Sequence, residues 1–193
     1  MVKIKFCGMT NLDDCRRAVD LGVDFVGFVF YRKSRRAVNP AAVRRIVEKL
    51  EGGATTVGVF VEEGDRVIEE IVGYCGLDYA QVYRPSALPN AIRALRVGQG
   101  RPDAPGDGLV LFDSDTKGFG GSGRSFDLGL LKDCDALGRA FIAGGIDESN
   151  VEKALRMAPF GIDLVSSIEA SPGRKERLKM EKFVEKVRAF RLC

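Results

Sequence analysis

The chain has 193 residues, a formal net charge of +3 and no histidine. This length predicts one domain over residues 1–193, and a hydrophobic content of 45% is enough for a sizeable core. The small charge argues against nucleic acid as the main partner. No apolar run is long enough to cross a membrane. Without histidine, Ser-His-Asp and Cys-His mechanisms are excluded and a zinc site is disfavoured.

The cysteines indicate the redox environment. Their number is odd, no two form a CxxC pair, and they are widely spaced, at Cys7, Cys15, Cys75, Cys134 and Cys193. This pattern does not predict a disulfide framework and favours the reducing cytoplasm. A strand predicted from residue 2 leaves no room for a signal peptide, which agrees with that location.

Short apolar runs alternate with helical patterns along the whole chain. Strands are predicted at 2–6, 24–30, 55–61, 78–83, 91–97, 108–112, 139–143 and 161–166. Helices are predicted at 11–21, 40–50, 64–75, 126–134, 147–158 and 174–191. The fourth and fifth strands are separated only by residues 84–90, and the fifth and sixth only by residues 98–107. The fourth and fifth helices should therefore be reduced or absent. The order predicts an α/β fold, a single-domain (β/α)8 TIM barrel.

In such a barrel, the reacting groups follow the carboxyl ends of the strands. Cys7 follows the first strand and precedes a helix start that Asn11 can cap. A helix N-terminus favours a nearby thiolate, which is the basic and reactive form of cysteine. By residue type alone, a small buried hydrophobic residue is the more common role for a cysteine. The position in the barrel favours an active-site thiol.

Two loops indicate a phosphate site. Gly144-Gly145 follows the seventh strand, ahead of a helix that Asp147 or Ser149 could cap, and Ser166-Ser167 follows the eighth strand. Barrels often bind phosphate with these loops, through backbone N–H groups at a helix N-terminus. Simple turn formation is the alternative for the glycines.

A glycine-rich stretch at 117–124 ends at Asp127, which lies after the sixth strand and hence at the same end of the barrel. The alternative for Asp127 is a solvent-exposed helix cap, with Ser125 as the rival capping residue.

Several segments together resemble the phosphoribosylanthranilate isomerase family. They occur in family order over nearly the whole chain, and the first-strand cysteine motif and the glycine-rich loop ending in Phe-Asp are specific in combination. The matching segments are KFCGMT at 5–10, GFVFY at 27–31, KSRR at 33–36, VGVFV at 57–61, LFDS at 111–114, GGSGRSFD at 120–127, AGG at 143–145 and EASPG at 169–173.

The resemblance implies a barrel of tryptophan synthesis that needs no metal or cofactor. It implies conversion of N-(5-phosphoribosyl)anthranilate to 1-(2-carboxyphenylamino)-1-deoxyribulose 5-phosphate by an Amadori rearrangement. The expected binding partner is then a small phosphorylated substrate. The protein would be a monomer or homodimer, and contact with other enzymes of the pathway is possible. By the same resemblance, Asp127 matches the general acid and Cys7 the general base. Arg36 matches the ligand of the anthranilate carboxylate, and Asp163 matches a position near the substrate. For Arg36 the alternative is a solvated basic run at 32–36.

The chain departs from the family pattern at three places. Tyr83-Arg84 stands where the family has His-Gly, Ser167 replaces a glycine, and Leu128 stands where tryptophan is frequent. Two competing functions remain at this stage. The related isomerase of histidine synthesis is disfavoured by Cys7, because that family has a carboxylate at the end of the first strand. A phosphate-binding barrel without turnover, serving as a binding or scaffolding protein, draws support only from Tyr83-Arg84 and Ser167.

Overall fold

The structure is a computed structural model that describes residues 1–98, 102–104, 106–114 and 126–191. Eight parallel strands close into a barrel in chain order, and β8 pairs with β1 through Lys5 and Asp163. The strands are β1 (Lys3–Phe6), β2 (Phe25–Val29), β3 (Thr55–Phe60), β4 (Tyr79–Val82), β5 (Ala91–Val97), β6 (Val110–Ser114), β7 (Ala140–Ile142) and β8 (Gly161–Leu164). The predicted (β/α)8 barrel is confirmed, and each strand lies within its predicted run or is shifted by two residues.

Five α-helices lie among the described residues: α1 (Leu12–Asp20), α2 (Pro40–Leu50), α3 (Asp65–Cys75), α4 (Val151–Leu155) and α5 (Arg177–Ala189). The first three match the predicted helices to within one residue. Local capping explains this agreement. The Asn11 side chain accepts a hydrogen bond from the Asp14 N–H at 2.9 Å, and Asn39 accepts one from Ala41 at 2.8 Å, directly before Pro40.

Three predicted helices are wrong in length or kind. The one at 126–134 is a four-residue 3₁₀ helix, Leu128–Leu131, and Asp133 has a φ of 58°, which is outside helical geometry. The one at 147–158 contains only α4, because the Asp147 and Asn150 side chains bond the backbone of 147–149 and compete with helix formation. Residues 174 and 175 belong to an antiparallel hairpin, β9 (Glu169–Ser171) and β10 (Arg174–Lys175), that precedes α5.

The connections after β4 and β5 are short, as predicted. Residues 83–90 contain no helix, and neither do the described residues between β5 and β6. With the 3₁₀ helix after β6, the described part of the barrel has a helix-poor half (β4, β5 and β6) and a helix-covered half (β8, β1, β2 and β3). In the helix-covered half, each strand is followed by an α-helix of nine residues or more.

Apolar side chains form one cluster between strands and helices and a second one inside the barrel. In the inner cluster, Phe141 meets Phe25 and Phe160 edge-on, with ring centroids 5.1 Å apart in both pairs. Within the described ranges, no helix has the length and apolar character needed to span a membrane.

Candidate active site

A cleft that is partly open to solvent lies at the carboxyl ends of the strands. Six of the eight predicted site residues line it: Cys7, Arg36, Gly144, Gly145, Asp163 and Ser166. Gln81, Tyr83 and Asp113 also line it, although the sequence did not single them out as site residues. The cleft therefore combines an apolar barrel wall with converging polar groups, the usual composition of a small-molecule site.

Cys7 is almost completely buried, and its sulfur lies over Gly27. A side chain at Gly27 would place its Cβ 2.7 Å from the Cys7 Sγ, so only glycine leaves room for the thiol. Burial raises the pKa of Cys7, and the ammonium groups of Lys5 and Lys175 offset only part of that increase. The net shift is opposite to the one expected from the helix N-terminus alone.

Lys5 is a fully buried cation that the sequence reasoning missed. Its Nζ donates to the Asp163 Oδ1 at 2.8 Å and to the Gln81 Oε1 at 3.0 Å. Burial lowers the pKa of Lys5, but the carboxylate of Asp163 and the sulfur of Cys7 raise it, and the net value is above the ordinary one. Lys5 is therefore an ammonium ion below the cleft. The available signal was its place two residues before Cys7 on β1, because alternate strand residues share a face.

Tyr83, one of the two family departures after β4, lies in the cleft. Its hydroxyl donates to the Asp113 Oδ2 at 2.9 Å and accepts from the Gln81 Nε2 at 3.4 Å. Burial, followed by the charge of Asp113, raises the pKa of Tyr83 well above its ordinary value, so the phenol stays neutral. Arg84 does not line the cleft, because its guanidinium donates to the Asp65 carboxylate at 2.6 Å and to the Glu63 carbonyl at 2.6 Å.

Arg36 is buried and forms a bidentate pair with Glu169. The Arg36 Nε and Nη2 donate to the two Glu169 carboxylate oxygens at 2.9 and 2.6 Å. Glu169 also accepts from the Lys175 Nζ at 3.1 Å and from the Gly173 N–H at 3.0 Å. The solvated basic run is therefore wrong for Arg36, although Arg32, Lys33 and Arg35 are exposed. Sequence reasoning missed Glu169, which lies 133 positions away from Arg36.

The two glycines after β7 form a tight turn next to β6. Both have positive φ values, 75° at Gly144 and 69° at Gly145, and a Cβ at Gly144 would lie 2.6 Å from the Ser114 backbone nitrogen. The next α-helix begins only at Val151, with Asn150 at the N-cap position, so the predicted helix start with Asp147 or Ser149 as the cap is wrong. Within the described ranges, no hydrogen-bond acceptor is found for the backbone N–H groups of Gly145, Ile146, Ser166 and Ser167.

Ser166 and Ser167 begin a 3₁₀ helix that ends at Ile168. Ser166 lines the cleft, but Ser167 does not, and the buried Ser167 hydroxyl has no hydrogen-bond partner among the described residues. The structure thus brings the glycine loop and Ser166 to one end of the cleft.

The family model described as N-(5'-phosphoribosyl)anthranilate isomerase matches residues 4–186. The chain belongs to this family. An N-(5'-phosphoribosyl)anthranilate isomerase from Acidithiobacillus ferrooxidans is 39% identical, over 97% of this chain and 98% of the relative. The phosphoribosyl anthranilate isomerase structure from Thermus thermophilus has a TM-score of 0.87 at 28% identity and covers 98% of this chain and 100% of its own.

A further phosphoribosyl anthranilate isomerase structure contains reduced 1-(o-carboxyphenylamino)-1-deoxyribulose 5-phosphate. It has a TM-score of 0.80 at 28% identity and covers 98% of this chain and 100% of its own. As a member of the N-(5'-phosphoribosyl)anthranilate isomerase family, this chain is an isomerase of tryptophan biosynthesis. The resemblance seen in the sequence is confirmed, and the family match argues against the isomerase of histidine synthesis.

Asp127 is the predicted site residue that the structure leaves farthest from its expected role. It is exposed, it does not line the cleft among the described residues, and its carboxylate accepts from the Gly129 N–H at 2.8 Å. This is the helix-capping alternative noted from the sequence. The preceding stretch 115–125, with most of the glycine-rich loop, lies outside the described residues, as does Cys193.

Proposed function

We propose that Cys7 is the general base and Asp127 the general acid of the isomerisation. Asp127 protonates the furanose ring oxygen, and the ring opens to an iminium ion. The Cys7 thiolate then removes the C2′ proton, and the resulting enol becomes the ketone. One group must donate a proton and the other must accept one. Burial favours the neutral thiol of Cys7, and the ammonium groups of Lys5 and Lys175 favour the thiolate that the proton abstraction needs. The buried thiol of Cys7 at the centre of the cleft is the observation that carries this proposal.

Charge complementarity supports the substrate orientation. Arg36 would receive the anthranilate carboxylate, because Glu169 occupies its Nε and Nη2 and no described residue accepts from its Nη1. The backbone N–H groups of Gly144, Gly145, Ser166 and Ser167 would receive the phosphate. The compound in the related structure has a carboxylate at one end and a phosphate at the other. Asp163 would act near the reacting centre through its ion pair with Lys5.

The role of Asp127 rests on its sequence motif and on its place after β6, since that strand ends at the rim of the cleft. In the structure its carboxylate is engaged with Gly129. General-acid action therefore requires that the side chain exchange this hydrogen bond for one to the substrate. The exposed position of Asp127 permits such an exchange.

The wider assignment of the chain is also a proposal. The family match over residues 4–186 supports a single domain spanning 1–193. The four described cysteines are free and buried, which supports the cytoplasm as the location. A monomer or homodimer, and contact with other enzymes of the pathway, stay as predictions.

A fluorescence assay on freshly prepared phosphoribosylanthranilate tests the mechanism. We expect Cys7→Ser and Asp127→Asn each to lower kcat by roughly 10²- to 10⁴-fold, the usual scale of positioned acid–base catalysis. Cys75→Ser and Asp135→Asn are the matched controls. Cys75 is a buried thiol bonded to the Pro40 carbonyl, and Asp135 is an exposed carboxylate of the same connection as Asp127. No substrate loss above the uncatalysed rate would refute the enzyme, and full activity in either test variant would refute that residue's role.

A further inference from the structure

Lys5 is the buried charged group that the proposed mechanism does not use. Lysine is almost never fully buried without a strong reason, since its ammonium loses its hydration. Here the Lys5 Nζ has two hydrogen-bond acceptors, Asp163 at 2.8 Å and Gln81 at 3.0 Å. Both acceptors line the cleft together with Cys7, and Lys5 lies two residues before Cys7, on the same face of the first strand.

The ion pair with Asp163 does not explain the position of Lys5 by itself. A buried lysine–carboxylate pair is weak evidence for stability, because the desolvation cost offsets the attraction between the charges. An apolar pair would fill the same barrel layer at lower cost. The pair instead places a positive charge near the one thiol that the described residues bring to the cleft.

The charged and titratable groups around the Cys7 sulfur come from several strands. Charges that favour or oppose the Cys7 thiolate are those of Lys5 on β1, Asp163 on β8 and Lys175 on β10, and Tyr83 after β4 lines the same cleft. Arg36 and Glu169 adjoin Lys175, and Asp113 adjoins Tyr83. Lys175 donates to the Cys7 carbonyl oxygen at 2.6 Å, so its nearest contact with Cys7 is the backbone. Of the two cations, Lys5 favours the Cys7 thiolate more strongly.

We propose that Lys5 is a positioning residue for the isomerisation, which acts through Cys7. Its buried ammonium stabilises the Cys7 thiolate, and the Asp163 carboxylate weakens this effect because it partly neutralises the ammonium charge. The inference rests on the proposed role of Cys7 as general base. It predicts that substitutions at the two partners act in opposite directions. Removal of the cation disfavours the thiolate, whereas removal of the competing carboxylate favours it.

The test is the pH dependence of Cys7 alkylation by iodoacetamide, followed by mass spectrometry of the Cys7 peptide so that the other thiols do not contribute. We expect Lys5→Met to move the midpoint to higher pH by about one unit and Asp163→Asn to move it to lower pH. At a pH below the midpoint, each unit by which the midpoint shifts changes the observed alkylation rate by about threefold. The change is smaller than tenfold because the lower nucleophilicity of a more acidic thiol offsets part of the gain in thiolate.

Lys3→Met is the matched control. Lys3 lies on the same strand and pairs with Asp24 at 2.8 Å, but it is at the opposite end of the barrel and largely exposed. Its removal should leave the Cys7 midpoint unchanged. Lys5→Gln provides a second test in case the methionine variant does not fold, and Asp163→Asn tests the same charge independently of any change at Lys5.

Turnover separates this inference from the proposed function. In Lys5→Met, kcat should fall more than KM rises, and the acidic limb of the kcat–pH profile should shift in parallel with the alkylation midpoint. An unchanged midpoint, or shifts in the same direction for Lys5→Met and Asp163→Asn, would overturn the role of Lys5. If Cys7→Ser is fully active while the alkylation midpoints shift as expected, the general-base role fails and the charge effect on the sulfur stands.

Discussion

The helix-covered half and the helix-poor half of the barrel hold their polar residues in different ways. Near β8 and β1, the hairpin β9–β10 forms hydrogen bonds with the segments that follow β1 and β2. Lys175 donates to the Cys7 carbonyl at 2.6 Å, and Glu169 bonds Arg36 at 2.6 Å. After β6, in contrast, Asp127 is exposed, and among the described residues its carboxylate bonds only its own 3₁₀ helix. Charges in the first half are therefore fixed before a substrate arrives, whereas the proposed proton donor is exposed and lies in a less constrained segment.

This difference suggests a division of tasks. Binding and proton abstraction need a rigid arrangement, because a small displacement of a positioned group is costly in rate. Protonation of the ring oxygen by a loop residue can instead accompany substrate entry. Three predictions, from the largest expected effect to the smallest, test whether the two halves differ in stability as they do in contacts.

The largest effect should follow loss of Glu169 in the helix-covered half. Glu169→Ala leaves Arg36 and Lys175 buried without their carboxylate, and breaking a buried ion pair in this way costs about 3–5 kcal/mol. Urea unfolding at pH 7 would measure the loss. The matched control is Glu70→Ala, because the Arg66–Glu70 pair is exposed and is worth about 0–1 kcal/mol.

The Glu169 effect should depend on pH. Despite desolvation, which acts in the opposite direction, hydrogen bonds from Arg36 and the charge of Lys175 lower the pKa of Glu169 in the folded state. A carboxyl with a lowered folded-state pKa stabilises the fold above its unfolded-state pKa, and this stabilisation is lost as the pH falls through the folded-state value. The difference between the wild type and Glu169→Ala should therefore shrink toward pH 3. A pH-independent difference would mean that packing, and not charge, accounts for the loss.

The second prediction compares two fully buried residues, Ile68 on α3 and Leu131 in the 3₁₀ helix after β6. Either change to alanine removes three carbon atoms, and such substitutions cost about 2–5 kcal/mol depending on how far the site can collapse. A four-residue 3₁₀ helix can shift into the cavity more easily than an eleven-residue α-helix. Ile68→Ala should therefore cost about 1–2 kcal/mol more than Leu131→Ala in urea unfolding. Equal costs would mean that the two halves are equally rigid.

The sequence predicted the fold well because the barrel is specified by local patterns. Apolar runs identified all eight strands, and Asn39 followed by Pro40 located α2 to the residue. The same kind of pattern failed at 126–134. There, Leu128 and Leu131 have helical spacing, but the left-handed backbone at Asp133 ends the segment.

The site was predicted only in part, because its decisive contacts are remote in sequence. Lys5 meets Asp163 across 158 positions and Gln81 across 76 positions, and no local pattern signals either contact. Glycine turns and the strand-end cysteine were predictable from their neighbours alone. Asp127 was ambiguous because one local motif fits both a cap and a general acid.

The third prediction, which has the smallest expected effect, tests whether Asp127 is mainly a cap or a general acid. Asn39→Ala removes the cap of α2 and should cost about 1 kcal/mol. Asp127→Ala removes a capping hydrogen bond of the same length, 2.8 Å, from a 3₁₀ helix of only four residues. It should therefore cost less, about 0.5 kcal/mol or below, in the same urea measurement. If Asp127 acts in the reaction, Asp127→Ala should greatly reduce turnover and lower the free energy of unfolding only slightly. If Asp127→Ala is instead as destabilising as Asn39→Ala and retains turnover, capping is the main role of Asp127, and the proton for the ring oxygen comes from another group.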